Sequence, residues 1–182
     1  MDLQELIDRQ QIVDTIYRYC RGVDRLDKEL IASAYHPDAW DDHGTFKVRG
    51  SECPDVIVNR LQKQCKASMH CITNVLVDFR SDKLADTEAY FVAWLAFDRP
   101  DGQYTRSLGG RYVDQFARRD DVWRIANRVV VYEWSRIDRI VEPWPSGAKM
   151  HPGLRSRDDV TYTHTQIERG RFIGEIYTGR HD

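Results

Sequence analysis

Three polar residues stand out against their apolar neighbours: Asp24, His70 and Arg128. Asp24 follows an apolar-periodic segment, just after Gly22. His70 opens a β-branched stretch, and Arg128 sits amid Ile125, Val129, Val130 and Val131. A histidine beside a carboxylate is the minimal general base. The carboxylate fixes one imidazole tautomer and stabilises the imidazolium that forms when the ring takes a proton. A lone strand histidine serves structure as readily, and Asp24 can equally be a helix cap, so spacing alone does not pair them. A guanidinium buried without a partner is costly. Arg128 therefore needs a carboxylate, and Asp24 is one candidate.

Other chemistries find less support. Gly109-Gly110 lies between strand-like residues without the GxGxxG spacing of a phosphate loop, and no serine sits in a nucleophile-elbow pattern. Nicotinamide, flavin and nucleotide cofactors are therefore not expected. Asp41-Asp42-His43, with His36 upstream, has the residue types of a divalent-metal site. Three consecutive strand residues cannot all face one ion, so no metal is expected. Cys20, Cys53, Cys65 and Cys71 form no CxxC pair and read as small buried apolar residues. Cys71 and its neighbour His70 would point to opposite faces of a strand.

The elements that would position these residues follow from periodicity. Residues 2–21 carry Leu3, Leu6, Ile7, Val13, Ile16, Tyr17 and Cys20 at helical steps, with Gly22 as a stop. A short helix is expected from Lys28 to Tyr35, then a strand from Trp40 to Val48. A third helix is expected with Ser51 as its cap and Pro54 in its first turn. From Met69 the pattern becomes that of strands: 69–79, 84–97, 104–118 and 122–134, with turns at 81–83, 99–102 and 119–121. The adjacent Gly109-Gly110 suggests a bulge or bend. Helices first and a meander after predict an α+β fold, a long bent sheet wrapped over N-terminal helices. Residues 1–134 read as one domain and 135–182, with Pro143, Pro145 and Pro152, as a C-terminal extension.

The 182 residues hold 27 Lys and Arg against 29 Asp and Glu, a net charge of -2 that argues against a nucleic-acid binder acting through bulk positive charge. No apolar run approaches the ~20 residues of a membrane span, and Met1-Asp2-Leu3-Gln4-Glu5 is not a signal-peptide start. A cytoplasmic protein without membrane contact is expected.

Arg21-Gly22-Val23-Asp24, Ala34-Tyr35-His36-Pro37-Asp38-Ala39 and Gly44-Thr45-Phe46 resemble the start of the SnoaL-like branch of the nuclear transport factor 2-like superfamily. Met69-His70-Cys71-Ile72-Thr73-Asn74 resembles that branch's histidine strand. Gly110-Arg111-Tyr112-Val113-Asp114-Gln115-Phe116 and Trp123-Arg124-Ile125-Ala126-Asn127-Arg128 resemble its two closing strands. The ordered set covers roughly residues 3–134. The resemblance implies a cone: a curved antiparallel sheet closed by helices around an apolar cavity. It also implies cofactor-free acid–base lyases, among them dehydratases, a dehydrochlorinase and enzymes that release formaldehyde from lignin-derived diaryl compounds. By that resemblance Asp24 and His70 form the catalytic pair, Tyr19 assists an oxygen leaving group, and Arg128 is an active-site arginine. The branch also holds isomerases, cyclases and non-catalytic members. A ligand-binding cone, or the small structural subunit of a ring-hydroxylating dioxygenase, is the alternative to a lyase.

If even-numbered strand positions share the face of His70 and Arg128, the cavity lining comprises Tyr90, Val92 and Trp94, then Leu108, Gly110 and Tyr112, then Ala126, Arg128, Val130 and Tyr132. That lining is apolar and ring-rich, suited to a small aromatic, phenolic or polycyclic substrate or equally to a packed core. Trp40 reads as a further substrate contact or equally as a plug of the core. The odd positions Trp123, Ile125, Val129 and Val131 would form an apolar outer face, covered in an oligomer. By the family resemblance that oligomer is a homotrimer, with a dimer as the alternative. Trp144, Met150, Tyr162, Phe172, Ile173, Ile176 and Tyr177 make the extension too apolar for a disordered tail and predict an ordered lid or intersubunit strap.

Overall fold

The computed structural model describes residues 2–141 and 152–163. Helix α1 (Leu3–Arg25) starts at Asp2, whose carboxylate accepts the Glu5 N–H at 2.8 Å. It runs past Gly22, so Asp24 lies in its last turn rather than after it. Gly22 is a contact, not a stop: a Cβ there would lie 2.9 Å from Ile31, so glycine lets α2 (Lys28–Ala34) press against α1. The stop comes at Leu26, in the left-handed region with φ 54°. Asp27 then caps α2 by accepting the N–H groups of Glu29 and Leu30. Helix α3 (Cys53–Gln64) opens at Glu52, not at Ser51, and no side chain caps it; Pro54 occupies its first turn as expected.

Six strands follow the order β2-β1-β6-β5-β4-β3. They are β1 (Tyr35–Asp42), β2 (Lys47–Arg49), β3 (Ala67–Ser81), β4 (Leu84–Arg99), β5 (Gly102–Arg119) and β6 (Val122–Arg139). The stretch expected as one strand from Trp40 to Val48 is a hairpin, and it turns through Gly44 at φ 72°. The sheet is curved and unclosed, with the N-terminal helices against it, as expected. Its pairs are antiparallel except β1 with β6, which run parallel. The core holds Ile12, Ile16 and Val23 of α1, Ile31 of α2 and Ile57 of α3 with Phe116, Trp123 and Ile125 of the sheet.

The register between the long strands shifts at four places; one, at Arg80, lies at the end of β3, and the other three decide which side chains face the helices. Between β5 and β6, Gly109 faces Trp134 but Gly110 faces Tyr132, so Glu133 is an extra residue. Further along, Gln115 faces Asn127 but Phe116 faces Ile125, so Ala126 is extra. Between β3 and β4 the two residues Thr73 and Asn74 oppose Tyr90 alone. Each extra residue exchanges odd and even positions between the faces. Trp123 and Ile125, expected outside, are therefore 1% and 0% exposed in the core, whereas Val129 two turns of the pleat later is exposed. The Gly pair sits at the first irregularity, where a Cβ on Gly109 would run into the Trp134 indole and one on Gly110 into the Val131 carbonyl.

The last strand continues to Arg139, and the described part of the extension, 152–163, lies on the helix ends. Arg25 pairs with the buried Asp159 at 3.2 Å. The Tyr162 hydroxyl donates to Asp27 at 2.7 Å, and Arg155 donates to the Cys65 carbonyl at 2.5 Å. Trp144, Met150, Phe172, Ile173, Ile176 and Tyr177 lie outside the described residues. Among the described residues no helix is long and apolar enough to cross a membrane.

Candidate active site

Strand β3 is an edge of the sheet, so an N–H that points away from β4 has no strand partner. At His70 that N–H donates to Asp24 Oδ2 at 2.8 Å, and the ring Nδ1 lies 2.7 Å from Asp24 Oδ1. One carboxylate thus holds both the backbone and the ring of one histidine. The second bond requires a proton on Nδ1, and in the neutral ring the lone pair is then on Nε2. Burial alone would raise the Asp24 pKa, but the hydrogen bond from the His70 ring, the attraction of that ring once it is protonated, and the His70 backbone N–H together bring it below the ordinary carboxylate value.

The half-buried His70 lines a cavity of about 350 Å³. Tyr19 and Val23 of α1 border it, as do Ile57 and Leu61 of α3, Phe91 and Leu95 of β4, Leu108 and Tyr112 of β5, and Val130 and Tyr132 of β6. The rings form a slot: Phe91 stacks on Tyr112 at 4.5 Å, and Tyr112 meets Tyr19 edge-on at 5.7 Å. Tyr19 and Tyr112 are each 2% exposed, and neither hydroxyl meets a protein hydrogen-bond partner. Burial pushes both phenols well above the ordinary value of 10.

Of the residues expected at the site, Asp24, His70, Tyr19, Leu108 and Tyr112 are brought together. Arg128 is close but behind the wall. It is fully buried, and its partner is Asp114, not Asp24: Nε and Nη2 donate to the two Asp114 oxygens at 2.7 and 2.6 Å. The register explains this, since Asp114 and Arg128 face each other directly across β5 and β6. Burial pushes the Asp114 carboxyl up, yet a fork of two short bonds from a guanidinium that keeps its proton holds it ionised. The guanidinium carbon lies 4.4 Å from the Tyr19 ring centre and 4.1 Å from that of Tyr112. It fixes the slot from beneath and does not line it.

Tyr90, Val92 and Trp94 are not brought to the cavity. The turn after Arg99 pairs residues of opposite parity, so Ala89 faces Tyr112, Phe91 faces Gly110 and Ala93 faces Leu108. The odd positions of β4 face inward, and Phe91 and Leu95 stand where Tyr90 and Trp94 were expected. Trp40 is 38% exposed under the Arg49 guanidinium, 3.7 Å from its ring centre, also away from the cavity.

Sequence reasoning missed the hairpin and α3 contributions: His43, Thr45, Phe46, Arg60 and Gln64, with Arg106 of β5. Splitting 40–48 into a hairpin at Gly44 would have turned His43 and Phe46 inward together. Of the four cysteines expected to be buried, Cys71, the strand residue after His70, is only half-buried. Cys20, Cys53 and Cys65 are buried, and burial pushes the Cys20 thiol up to about 12.

This arrangement of an Asp–His pair beside a ring-lined cavity, within helices and a curved sheet, defines a small-molecule cone. The chain matches the SnoaL-like domain over residues 4–129 and belongs to that family. A hexachlorocyclohexane dehydrochlorinase of type 2 superposes with a TM-score of 0.73 at 21% identity, covering 81% of this chain and all of that one. The type 3 enzyme from Novosphingobium barchaimii gives 0.67 at 21%, covering 84% and 99%. A protein from Novosphingobium aromaticivorans named as a candidate scytalone dehydratase gives 0.66 at 18%, covering 82% and 100%. At these identities the likeness is one of fold. No curated protein matches the chain significantly.

Proposed function

We propose that this chain is a cofactor-independent acid–base lyase acting on an apolar, ring-containing small molecule, with a dehydratase or formaldehyde-releasing reaction. His70 Nε2 removes a proton from the substrate. In a dehydration that proton comes from carbon, and the electron pair of the C–H bond forms a double bond and expels an oxygen leaving group. In formaldehyde release it comes from a hydroxymethyl O–H, the C–O bond becomes the C=O of formaldehyde, and the electrons of the breaking C–C bond form the double bond and expel the oxygen. Asp24 holds the ring in its reactive tautomer and balances the imidazolium that develops. Tyr19 and Tyr112 offer their unpartnered hydroxyls as hydrogen bonds to substrate oxygen, and Arg128 fixes both rings.

The observation that carries this reading is the 2.7 Å Nδ1–Oδ1 bond placed at the wall of an open cavity. A purely structural subunit needs neither the pair nor the space beside it. The dehydrochlorinase and dehydratase neighbours lend the same direction. An isomerase using the same pair differs only in lacking a leaving group.

Native mass spectrometry of the purified chain would identify a retained ligand. Its hydroxylated and phenolic analogues would then be offered to the wild type and to His70→Ala. Turnover that falls ~10²–10⁴-fold in the variant, with the fold intact, is expected. An unchanged rate refutes the role of His70.

A further inference from the structure

A second Asp–His pair faces the same cavity. His43, in the β1–β2 turn, has Nε2 3.2 Å from both oxygens of Asp41 and stacks on Phe46 at 4.4 Å. The ring borders the cavity, and its Nδ1 has no protein hydrogen-bond partner. Resting on the lyase reading above, we propose that His43 is the general acid of this site, an imidazolium held by Asp41 that delivers a proton to the leaving oxygen.

Charge balance within the buried network carries the argument. Asp41 is 0% exposed. Its Oδ2 accepts the Tyr35 hydroxyl at 3.2 Å and the Cys53 thiol at 3.3 Å, while Oδ1 has no hydrogen-bond donor. Hydrogen bonds to the charged form favour a carboxylate, and a buried carboxylate requires a cation. Arg128 also touches Tyr35, at 3.3 Å, but both arms of its fork are committed to Asp114. With His43 neutral, Arg128, Asp114 and Asp41 sum to one uncompensated negative charge. A proton on His43 brings the sum to zero. Burial raises the Asp41 pKa, and the bond and charge of His43, then the charge of Arg128, outweigh it, so the carboxyl lies below its ordinary value. The other cation facing His43 is Arg60 of α3, half-exposed over the Phe46 ring 4.7 Å from its centre, where water screens it. Lys47 is engaged with Asp42 at 3.5 Å on the surface.

The two pairs are thus set in opposite states. Asp24 spends both oxygens on N–H groups of His70, and in the neutral ring Nε2 is left as an acceptor. Asp41 gathers Tyr35, Cys53 and His43 on Oδ2, leaves Oδ1 without a donor, and is matched in charge only when His43 carries a second proton, with Nδ1–H as a donor. Environments that separate two like groups in this way assign the base and the acid. The tyrosines cannot substitute, because burial makes their phenols poorer acids than usual. The topology agrees: the β1–β2 hairpin and β3 are the two ends of the sheet, and the curl brings His43 and His70 to one cavity.

For a β-hydroxy ketone, the C–H bond breaks to His70 Nε2, its electrons form the C=C bond, and the C–O bond breaks. The departing oxygen takes the Nδ1 proton of His43 and leaves as water. Proton exchange with solvent restores both rings.

Long-range ¹H–¹⁵N spectra of the full chain, assigned with His43→Gln and His70→Gln, read each ring directly. His43 should hold its second proton to higher pH in the wild type than in Asp41→Asn, and His70 should carry its proton on Nδ1. A His43 ring that titrates alike in the wild type and in Asp41→Asn overturns the proposal. A cationic His70 overturns the base reading and leaves the proton on His43 untouched. Rates with 3-hydroxy-1,3-diphenylpropan-1-one and 5-nitrobenzisoxazole separate the roles, since the nitrophenolate of the second departs without a proton. His43→Gln should lose ~100-fold on the hydroxy ketone and much less on the benzisoxazole, while His70→Gln loses both alike. Equal losses in His43→Gln refute the acid role.

Discussion

Replacing Asp24 with Asn changes one oxygen to nitrogen and confronts the amide with a choice. The carboxylate accepts two protons, from the His70 backbone at 2.8 Å and from ring Nδ1 at 2.7 Å. An amide can accept only one of them and presents N–H groups to the other site. The backbone N–H cannot change its character, and leaving it against a donor in a buried site costs about 1–3 kcal/mol. The ring can adapt by moving its proton. The variant therefore places its amide oxygen on the backbone N–H and its NH₂ against Nδ1, which drives the proton to Nε2. The lone pair facing the cavity disappears. Loss of a positioned base is worth ~10²–10⁴ in rate, or about 3–5 kcal/mol of barrier. The fold should lose only about 1 kcal/mol, the difference between charged and neutral hydrogen bonds, which lowers Tm by about 2–4 °C in a chain of this size. Single-turnover rates on the substrate analogue, together with the ¹⁵N pattern of His70, provide the assay. A rate within threefold of wild type, or a His70 ring that keeps its Nδ1 proton, refutes the reasoning.

Arg128→Met leaves Asp114 buried without a cation and should cost about 3–5 kcal/mol in chemical denaturation, much of it recovered by adding Asp114→Leu; a single-variant loss below about 1 kcal/mol contradicts the buried fork. His36 donates from Nε2 to the Ala117 carbonyl at 2.9 Å, and burial depresses its pKa below the ordinary 6.5. The unfolded chain then binds a proton first as pH falls, so stability is complete above about pH 6.5 and declines from there toward the lower folded pKa. His36→Gln should flatten that slope, as urea midpoints across pH 5 to 8 will show. Truncation after Ile140 removes the Arg25–Asp159 and Tyr162–Asp27 contacts; Tm and turnover should both fall while the oligomer persists, and dissociation would assign the segment to assembly instead. A homotrimer is expected in sedimentation at micromolar concentration, and a monomer would refute it.

Much of the architecture is legible in the residues. Helical periodicity in 2–21 and the change of period at Met69 place the helices and all four long strands within a few residues. The Asp24 and His70 side chains stand out because charge amid apolar neighbours demands a reason. What cannot be read is parity. The hairpin at Arg99–Gly102 and three extra residues each exchange the faces of the sheet, so Phe91 rather than Tyr90 lines the cavity and Trp123 turns inward. Such a residue leaves the composition of a strand unchanged, and only Gly109-Gly110 announces one. The Asp114–Arg128 fork was hidden for the same reason, since its register depends on the extra residue at Ala126. His43 was hidden by the hairpin, which a run of Asp41-Asp42-His43-Gly44 conceals within an apparently continuous strand.

The placement of charge explains why so much polarity can border an apolar slot. Arg128 and Asp114 neutralise each other beneath the Tyr19 and Tyr112 rings, so the floor of the cavity presents aromatic faces rather than ions. Each histidine comes with its own carboxylate on the side away from the open space, so neither pair needs the substrate to complete it. Among the described residues at the cavity, the cations without a carboxylate partner are Arg60, which donates to Thr45 and lies over Phe46, and Arg106, which lies over Phe97. In the proposed mechanism apolar binding and proton transfer are thereby kept on different surfaces: rings hold the substrate, and two histidines from opposite ends of one sheet approach it from separate elements. The curl of that sheet, to which the Gly109–Gly110 irregularity contributes, is then part of the active-site geometry and not only of the fold.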